Sequence, residues 1–319
     1  MKILVTGATG FVGQALLRHL HGHQDHSVRA AVRSARPVGF DGPCFLVGNI
    51  NSATNWQAAL EGIDVLIHLA ARVHVMHDTA ADPLAEFRAV NVAGTRNLAE
   101  QAAAAGVRRM VLLSSIKVLG EATPEGHPWT AHSPAAPADP YGVSKHEAER
   151  ALREVAAARG MEWVVLRPPL VYGPGVKANF AALIRLASVG LPLPFASIDN
   201  RRSLVSVGNL VDALTCAATH PAAAGRTYLV SDQDDVSTPE LIRRIALAQG
   251  RVARLFACPV PLLRAGATVL GRNAAMHRLT QSLQVDCSDI GRELGWRPPQ
   301  TMAQALTAML ANTPAGETA

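Results

Sequence analysis

Residues 2–13 read KILVTGATGFVG, and this stretch decides the fold. Lys2 to Thr6 is a short, apolar, β-branched run that stops at a glycine, the pattern of a buried strand. Gly7, Gly10 and Gly13 follow at a three-residue step. From Phe11 the pattern FVGQALLRHL has helical spacing, with Phe11, Leu16, Leu17 and Leu20 on one face. A strand, a glycine turn and a helix start together make a cradle for a pyrophosphate. Glycine permits positive φ and close backbone approach, while free amides and the helix dipole favour an anion. The spacing is GxxGxxG, a departure from GxGxxG.

Working outward, apolar strand patterns recur at 27–32 (SVRAAV), 44–49 (CFLVGN), 64–71 (DVLIHLAA), 109–115 (RMVLLSS) and 162–168 (EWVVLRP). Helical patterns lie between them at 55–62 and 83–106. Strands spaced by helices predict an α/β fold, a Rossmann-type doubly wound parallel sheet whose C-terminal strand ends carry the ligand. The alternation fails from about Pro168, where Pro and Gly become frequent and helical stretches appear at 238–250 and 301–310. This predicts a smaller, mostly helical C-terminal substrate lobe. The expected division is 1–168 with about 203–231 for the dinucleotide-binding part, 169–202 and 232–310 for the lobe, and a flexible tail at 311–319.

The 319 residues are 49% apolar and 17% charged, which suits a folded chain with a sizeable core and argues against disorder. The formal charge of +5 comes from scattered arginines with no basic block, so no nucleic-acid partner is expected. The four cysteines lack CxxC or zinc spacing, and the thiols are expected to be reduced. HLHGHQDH at 19–26 has the look of a metal cluster. It falls where the first helix ends, far from the catalytic strand ends, and a solvated loop is the plainer reading, so no metal is expected. The first residues run straight into a strand with no signal-peptide pattern. The most apolar late stretch, VPLLRAGATVLG at 260–271, is too short to span a bilayer and carries Arg264. A cytoplasmic protein without membrane insertion is the expectation.

DPYGVSK at 139–145 carries the chemistry. Tyr141 and Lys145 stand four residues apart, on one helix face, with Asp139 as N-cap and Pro140 at the first helical position. A tyrosine that exchanges protons near neutral pH needs its pKa of about 10 lowered, and a neighbouring ammonium and the helix N-terminus both act in that direction. A hydroxyl at the end of the fifth strand, Ser114 or Ser115, is placed to hydrogen-bond the same substrate oxygen.

TGATGFVG, HLAA, the serine pair, YGVSK and LRPPLVYGPG occur in the order seen in the extended short-chain dehydrogenase/reductases, the NAD-dependent epimerase/dehydratase family, and the chain resembles that family over nearly its whole length. The resemblance implies that Ser115, Tyr141 and Lys145 are catalytic. It implies a cofactor site of Gly7, Thr9, Gly10, Phe11, Val12, Gly13, Arg33, Asn49, Ile50, Leu69, Ala70, Ala71, Asn91, Tyr141, Lys145 and Pro168. SSIKVLGE, GVKANF, NRRSLV and LGWRPP resemble the bacterial O-antigen and capsule branch, whose members are UDP-sugar 4-epimerases or 4-ketoreductases. A UDP-sugar substrate follows, touched by Ser115, Lys117, Tyr141, Asn179, Phe195, Arg202 and Arg278, with Arg202 and Asn179 on the diphosphate and Phe195 against the base. The family pattern also implies a homodimer through helices near 84–105 and 141–159.

The 4,6-dehydratases of this group carry Asp-Glu directly after the catalytic hydroxyl. Ile116 and Lys117 stand there instead, and a lysine cannot replace the carboxylate that removes a proton, so dehydration is excluded. Reduction of a 4-keto sugar and 4-epimerisation remain. Val32, Arg33 and Arg36 occupy the end of the second strand, where an acid would grip the adenosine ribose and repel a 2′-phosphate. An Arg–phosphate bond contributes about 1.5–3 kcal/mol. This favours NADP(H) over NAD(H), and with it a reductase acting on a UDP-4-keto-6-deoxy-N-acetylhexosamine, with UDP-hexose 4-epimerisation as the alternative. A nucleotide sensor without turnover and a reductase of flavonoid- or steroid-like substrates are weaker readings. The first has no use for the Tyr141/Lys145 pair, the second none for Asn179 and Arg202.

Overall fold

The structure, a computed structural model, describes residues 1–22, 25–73, 82–176 and 178–311. β1 (Lys2–Thr6) leads through the glycine turn into α1 (Phe11–His21), followed by β2 (Ser27–Val32), β3 (Cys44–Leu46), α2 (Gln57–Leu60) and β4 (Val65–His68). α3 (Pro83–Phe87) continues through a π-turn (Arg88–Ala93) into α4 (Gly94–Ala104). Then come β5 (Arg109–Leu113), a 3-10 turn (Ile116–Val118) and α5 (Pro140–Arg159). β6 (Glu162–Arg167), β7 (Leu170–Tyr172), α6 (Ala178–Ser188), β8 (Leu204–Ser206), α7 (Val207–Thr219) and β9 (Arg226–Leu229) follow. α8 (Thr238–Ala248), α9 (Val260–Val269), α10 (Asn273–Thr280), α11 (Ser288–Leu294) and α12 (Met302–Ala311) complete the order.

Seven strands form one parallel sheet in the order β3-β2-β1-β4-β5-β6-β9. Side chains alternate between two apolar layers, as the pleat requires. Ile3, Val5, Val65, Ile67, Val111, Val164 and Leu166 face the layer shared with α1 and α7. Leu4, Leu66, Met110, Leu112 and Val165 face the layer that holds Leu98 of α4 and Leu152 of α5. Burial on both faces explains the unbroken apolar runs in the sequence. The strand order reverses at β1, between β2 and β4, and the glycine turn stands at that switch point, where open α/β sheets take their ligands.

A third apolar cluster, around Tyr172, Phe180, Ile242 and Leu306, is the core of the smaller lobe beside the two-stranded parallel pair β7–β8. Asp232 joins it to the main sheet. Its carboxylate accepts from the Tyr172 hydroxyl at 2.6 Å, the Ser206 amide at 2.8 Å and Asn209 Nδ2 at 2.7 Å.

Three elements differ from the sequence reading. The third strand stops at Leu46, and Gly48 turns the chain away at φ +69°. The helix expected over 55–62 is a four-residue α2, ended before Gly62 at φ +63°. β9 adds a seventh strand at the sheet edge, a four-residue run with Arg226 exposed and too short to stand out by periodicity.

Candidate active site

β5 delivers two serines at its C-terminal end, and the structure separates their roles. Ser114 is buried and donates to Glu149 Oε1 at 2.6 Å, so its hydroxyl is committed. Ser115 caps the 3-10 turn, its Oγ accepting from the Lys117 amide at 3.2 Å, and its side chain is hydrogen-bonded to Tyr141. The Pro168 carbonyl accepts from the Ile116 amide at 2.9 Å and fixes the backbone beyond Ser115. α5 begins as expected: Asp139 Oδ1 accepts from the Gly142 amide at 2.6 Å, with Pro140 in the first turn. A Cβ on Gly142 would lie 2.6 Å from the Lys117 carbonyl oxygen, so this glycine lets the catalytic helix press against the serine turn.

Tyr141, Lys145 and Glu149 succeed one another at i, i+4 and i+8 on α5. Phe87 holds the Tyr141 ring edge-on, with centroids 6.0 Å apart. Desolvation pushes the Tyr141 phenol up to about 12, eased by the Ser115 hydrogen bond and reinforced by Asp139. The phenol of the protein alone therefore lies above its ordinary value, where a lowered one was expected, and desolvation is the largest cause. Lys145 is 2% exposed, and burial lowers its ammonium to about 8 despite the charge of Glu149. Burial alone would raise the Glu149 carboxyl, yet paired Arg167 bonds at 2.8 and 2.6 Å, with Ser114 and Arg153, hold it below its ordinary value.

The sign for Lys145 is fixed by these directions. Between about pH 8 and 10.5 the unfolded chain binds more protons, so stability rises across that window while the active-site charge disappears. Activity is expected to fall as pH rises through about 8. Glu149→Gln leaves Arg167 buried and unpaired, costing about 3–5 kcal/mol in urea unfolding. It also moves the alkaline limb of kcat/KM to lower pH.

His68, missed in the sequence, bridges Thr6 Oγ1 at 2.6 Å and Thr95 Oγ1 at 3.1 Å beneath the cofactor loop. Burial, with the Lys145 charge, lowers it to about 3. The unfolded chain takes up this proton first, so stability is lost as pH falls from about 6.5 towards 3. His68→Gln is expected to flatten that part of the acid-unfolding curve.

The glycine turn fits a dinucleotide. Gly7 takes φ +68°, and a Cβ there would meet the Ala70 amide nitrogen at 2.6 Å; one on Gly13 would meet the Gly7 carbonyl oxygen at 2.1 Å. α1 starts at Gly10 without a side-chain cap or an acid in its first turn, leaving the amides of Phe11, Val12 and Gly13 for an anion. Thr9 is exposed beside them, and its carbonyl accepts from Gln14 Nε2 at 2.9 Å. Leu69, Ala70 and Ala71 follow β4 directly and are partly exposed, as a lining requires. Asn91 differs in kind. It is 2% exposed, and its amide grips the Arg72 backbone at 2.8 and 3.0 Å and Ser144 Oγ at 2.9 Å, so it positions the lining. Ile50 packs at 2.6 Å from where a Cβ on Gly94 would be, and Asn49 is exposed beyond β3. Arg33 is exposed at the end of β2, and among the described residues no carboxylate pairs with it. Arg36 is spent on the carbonyls of Phe40 and Gly42, both at 3.2 Å.

The substrate-side residues divide. Arg202 and Arg278 come together: the Arg202 guanidinium donates to the Arg278 carbonyl at 2.7 Å, and burial, with the Arg278 charge, lowers its pKa. Lys117 does not stand free, because its ammonium pairs with Asp139 and, at 3.2 Å, with Glu121. It secures the start of α5. Phe195 is 9% exposed and packs in the lobe core, so its ring serves packing where a base contact was expected. The Asn179 side chain and His23 lie outside the described residues. Among the described residues no cluster of His, Cys, Asp or Glu has metal-binding geometry.

A family model for the NAD dependent epimerase/dehydratase family matches residues 3–231. The chain belongs to this family. It is 48% identical over 304 residues to a UDP-glucose 4-epimerase of Vibrio cholerae, covering 95% of this chain and 92% of that protein. Among solved structures it is similar to a short-chain dehydrogenase/reductase superfamily protein from Agrobacterium tumefaciens with bound NAD. The TM-score there is 0.77 at 25% identity, covering 98% of this chain and 96% of that one. It is likewise similar to MoeE5 in complex with UDP-glucose and NAD, with a TM-score of 0.76, 25% identity and 98% of each chain covered.

As a member of the epimerase/dehydratase family the chain is a nicotinamide-dependent enzyme. The dinucleotide, when bound, supplies the acceptor and donor of hydride at a substrate carbon. Of the chain's own residues, Tyr141 would take or return the proton of the oxygen on that carbon and Ser115 would hydrogen-bond the same oxygen, with Lys145 one turn further along α5. The glycine turn and the free α1 amides would hold the pyrophosphate.

Proposed function

We propose that this enzyme interconverts the C4 epimers of a UDP-hexose, UDP-glucose and UDP-galactose in the first instance, with NAD retained through turnover. The 48% identity to the Vibrio cholerae UDP-glucose 4-epimerase over nearly the whole of both chains carries the reading. It favours the epimerase alternative over the 4-ketoreductase that the sequence alone put first. The site is compatible with this choice. A single phenol works on the C4 oxygen in both directions, and the positions after Ser115 hold Ile116, which is buried, and Lys117, whose charge is paired.

The preference for NADP(H) drawn from Arg33 is likewise replaced by NAD. The family's description names NAD, and both structural relatives hold it. An exposed arginine without further phosphate ligands is a weak discriminator, since Arg36 is engaged by backbone carbonyls. Arg202, Arg278 and Asn179 are the proposed contacts to the substrate diphosphate. A homodimer through the outer faces of α4 and α5 belongs to the same proposal.

The test is NMR of UDP-glucose incubated with the purified protein and no added reductant. UDP-galactose at a constant total of UDP-hexose is the expected result. Turnover only of a UDP-4-keto sugar, with stoichiometric consumption of NADPH, would overturn the proposal.

A further inference from the structure

α9 turns most of its apolar side chains to water. It gives the core Leu263 and Ala267. Its opposite face repeats at i, i+3, i+4 and i+7 as Leu262, Ala265, Gly266 and Val269, and Leu270 extends the stripe; all five are exposed. Leu262 keeps 63% of its surface open, Val269 87% and Leu270 73%. Single exposed leucines are ordinary, but a contiguous stripe marks an interaction surface.

Along the stretch of chain that carries it, the charges all have one sign. From Ile245 to Val285 the chain has five arginines, Arg251, Arg254, Arg264, Arg272 and Arg278, and no aspartate or glutamate. All five are exposed, and among the described residues none has a carboxylate partner. Arg251 donates to the Ser188 carbonyl and Arg264 to Thr280 Oγ1 at 3.4 Å. By contrast, Arg243 and Arg244, one helix earlier, pair with Glu240 and Asp234. Exposed Phe256 lies on a segment that runs beside residues 193–196, with the Ala196 amide donating to the Phe256 carbonyl at 3.1 Å. The apolar stripe thus lies in a stretch of chain whose formal charges are all arginines, with exposed Asp199 on the segment beside it.

We propose that this face, centred on α9, docks on the surface of an anionic lipid bilayer. Leucine and valine enter the boundary between headgroups and acyl chains, while Arg264 and Arg272 on either side of the stripe, with Arg251 and Arg254, reach lipid phosphates. A second copy of the chain is the poorer occupant, because it would set arginine against arginine. α9 has 10 residues and lies along the surface, too short to cross. α9 packs on α10, which carries Arg278, so docking places the substrate-side arginines close to the membrane. The inference does not depend on which sugar is turned over.

The experiment is co-sedimentation of the full chain with phosphatidylcholine vesicles, with and without phosphatidylglycerol. Binding is expected only with phosphatidylglycerol, and it weakens as salt rises. Partitioning falls about fivefold for each positive charge removed near the surface, so Arg264→Ala with Arg272→Ala lowers it by about twentyfold or more. Leu262→Ser with Val269→Ser abolishes it. All four positions are exposed, so the melting temperature is expected to hold in both variants. Absence of binding to phosphatidylglycerol vesicles, or binding indifferent to both variants, would overturn the proposal. So would a dimer in light scattering that the Leu262/Val269 variant dissociates without any lipid binding.

Discussion

Tyr141→Phe is expected to lower kcat by about 10²–10⁴-fold, the range that a positioned general acid–base contributes. Phenylalanine keeps the ring that Phe87 supports edge-on and loses only the hydroxyl. In the proposed reaction the phenol acts at C4 and Arg202 at the diphosphate, so the fold and the affinity for UDP should stay unchanged. Removing the phenol leaves the Ser115 side chain without this partner, and nothing else in the described site is placed to carry the proton. Lys145, one turn further along α5, is buried with Glu149 as counter-charge. A tenfold or smaller loss in kcat would mean that another group moves the proton. Isothermal titration with UDP and a steady-state assay on the same preparation separate chemistry from binding.

Gly13→Ala should be the most damaging single-methyl change in the cradle. The new Cβ would stand 2.1 Å from the Gly7 carbonyl oxygen and 2.8 Å from Ala8 Cα, both backbone atoms of the same tight turn. Neither can step aside like the end of a flexible side chain. Overpacking of this kind costs typically about 1–3 kcal/mol. Relief by displacing α1 would carry the Phe11 and Val12 amides away from the pyrophosphate. Loss of nicotinamide cofactor from the purified protein, together with a lower melting temperature, is the expected pair of results. Gly10→Ala, whose Cβ would lie 3.1 Å from the same oxygen, should be milder. Equal behaviour of the two variants would show that the cradle is looser than its geometry implies.

The local geometry of the glycine turn and of the start of α5 was legible because spacing specifies it. Glycines at a three-residue step between a strand and a helix, and Tyr141 four residues before Lys145 behind an Asp-Pro cap, are local patterns that survive without knowledge of the fold. The missing parts depend on contacts between distant segments. Position alone left Ser114 and Ser115 equivalent, and only the family resemblance singled out Ser115; the structure adds the physical reason, since Glu149, 35 residues on, engages Ser114. Glu149 itself stands on the same face as Tyr141 and Lys145, and extending the i, i+4 step by one turn would have found it. His68 gave no sign of its bridge between Thr6 and Thr95, because its partners come from β1 and α4. The ion pairs of Lys117 and the packing of Phe195 were hidden for the same reason. A motif position tells where a side chain begins, whereas Asp139 and the lobe core decide where it ends. Arg33 is the opposite case: its place at the end of β2 was legible, but an exposed charge does not by itself select between NADP(H) and NAD(H).

The most direct measurement follows the fate of the C4 hydrogen. UDP-glucose carrying deuterium at C4 is incubated with the enzyme in the presence of excess unlabelled NADH and NADPH, and the UDP-galactose formed is analysed by mass spectrometry. Full retention of deuterium at C4 is the predicted result, because the hydrogen returns to its own carbon from a cofactor that never leaves. Loss of the label into the soluble nucleotides, or no UDP-galactose at all, would contradict an epimerase.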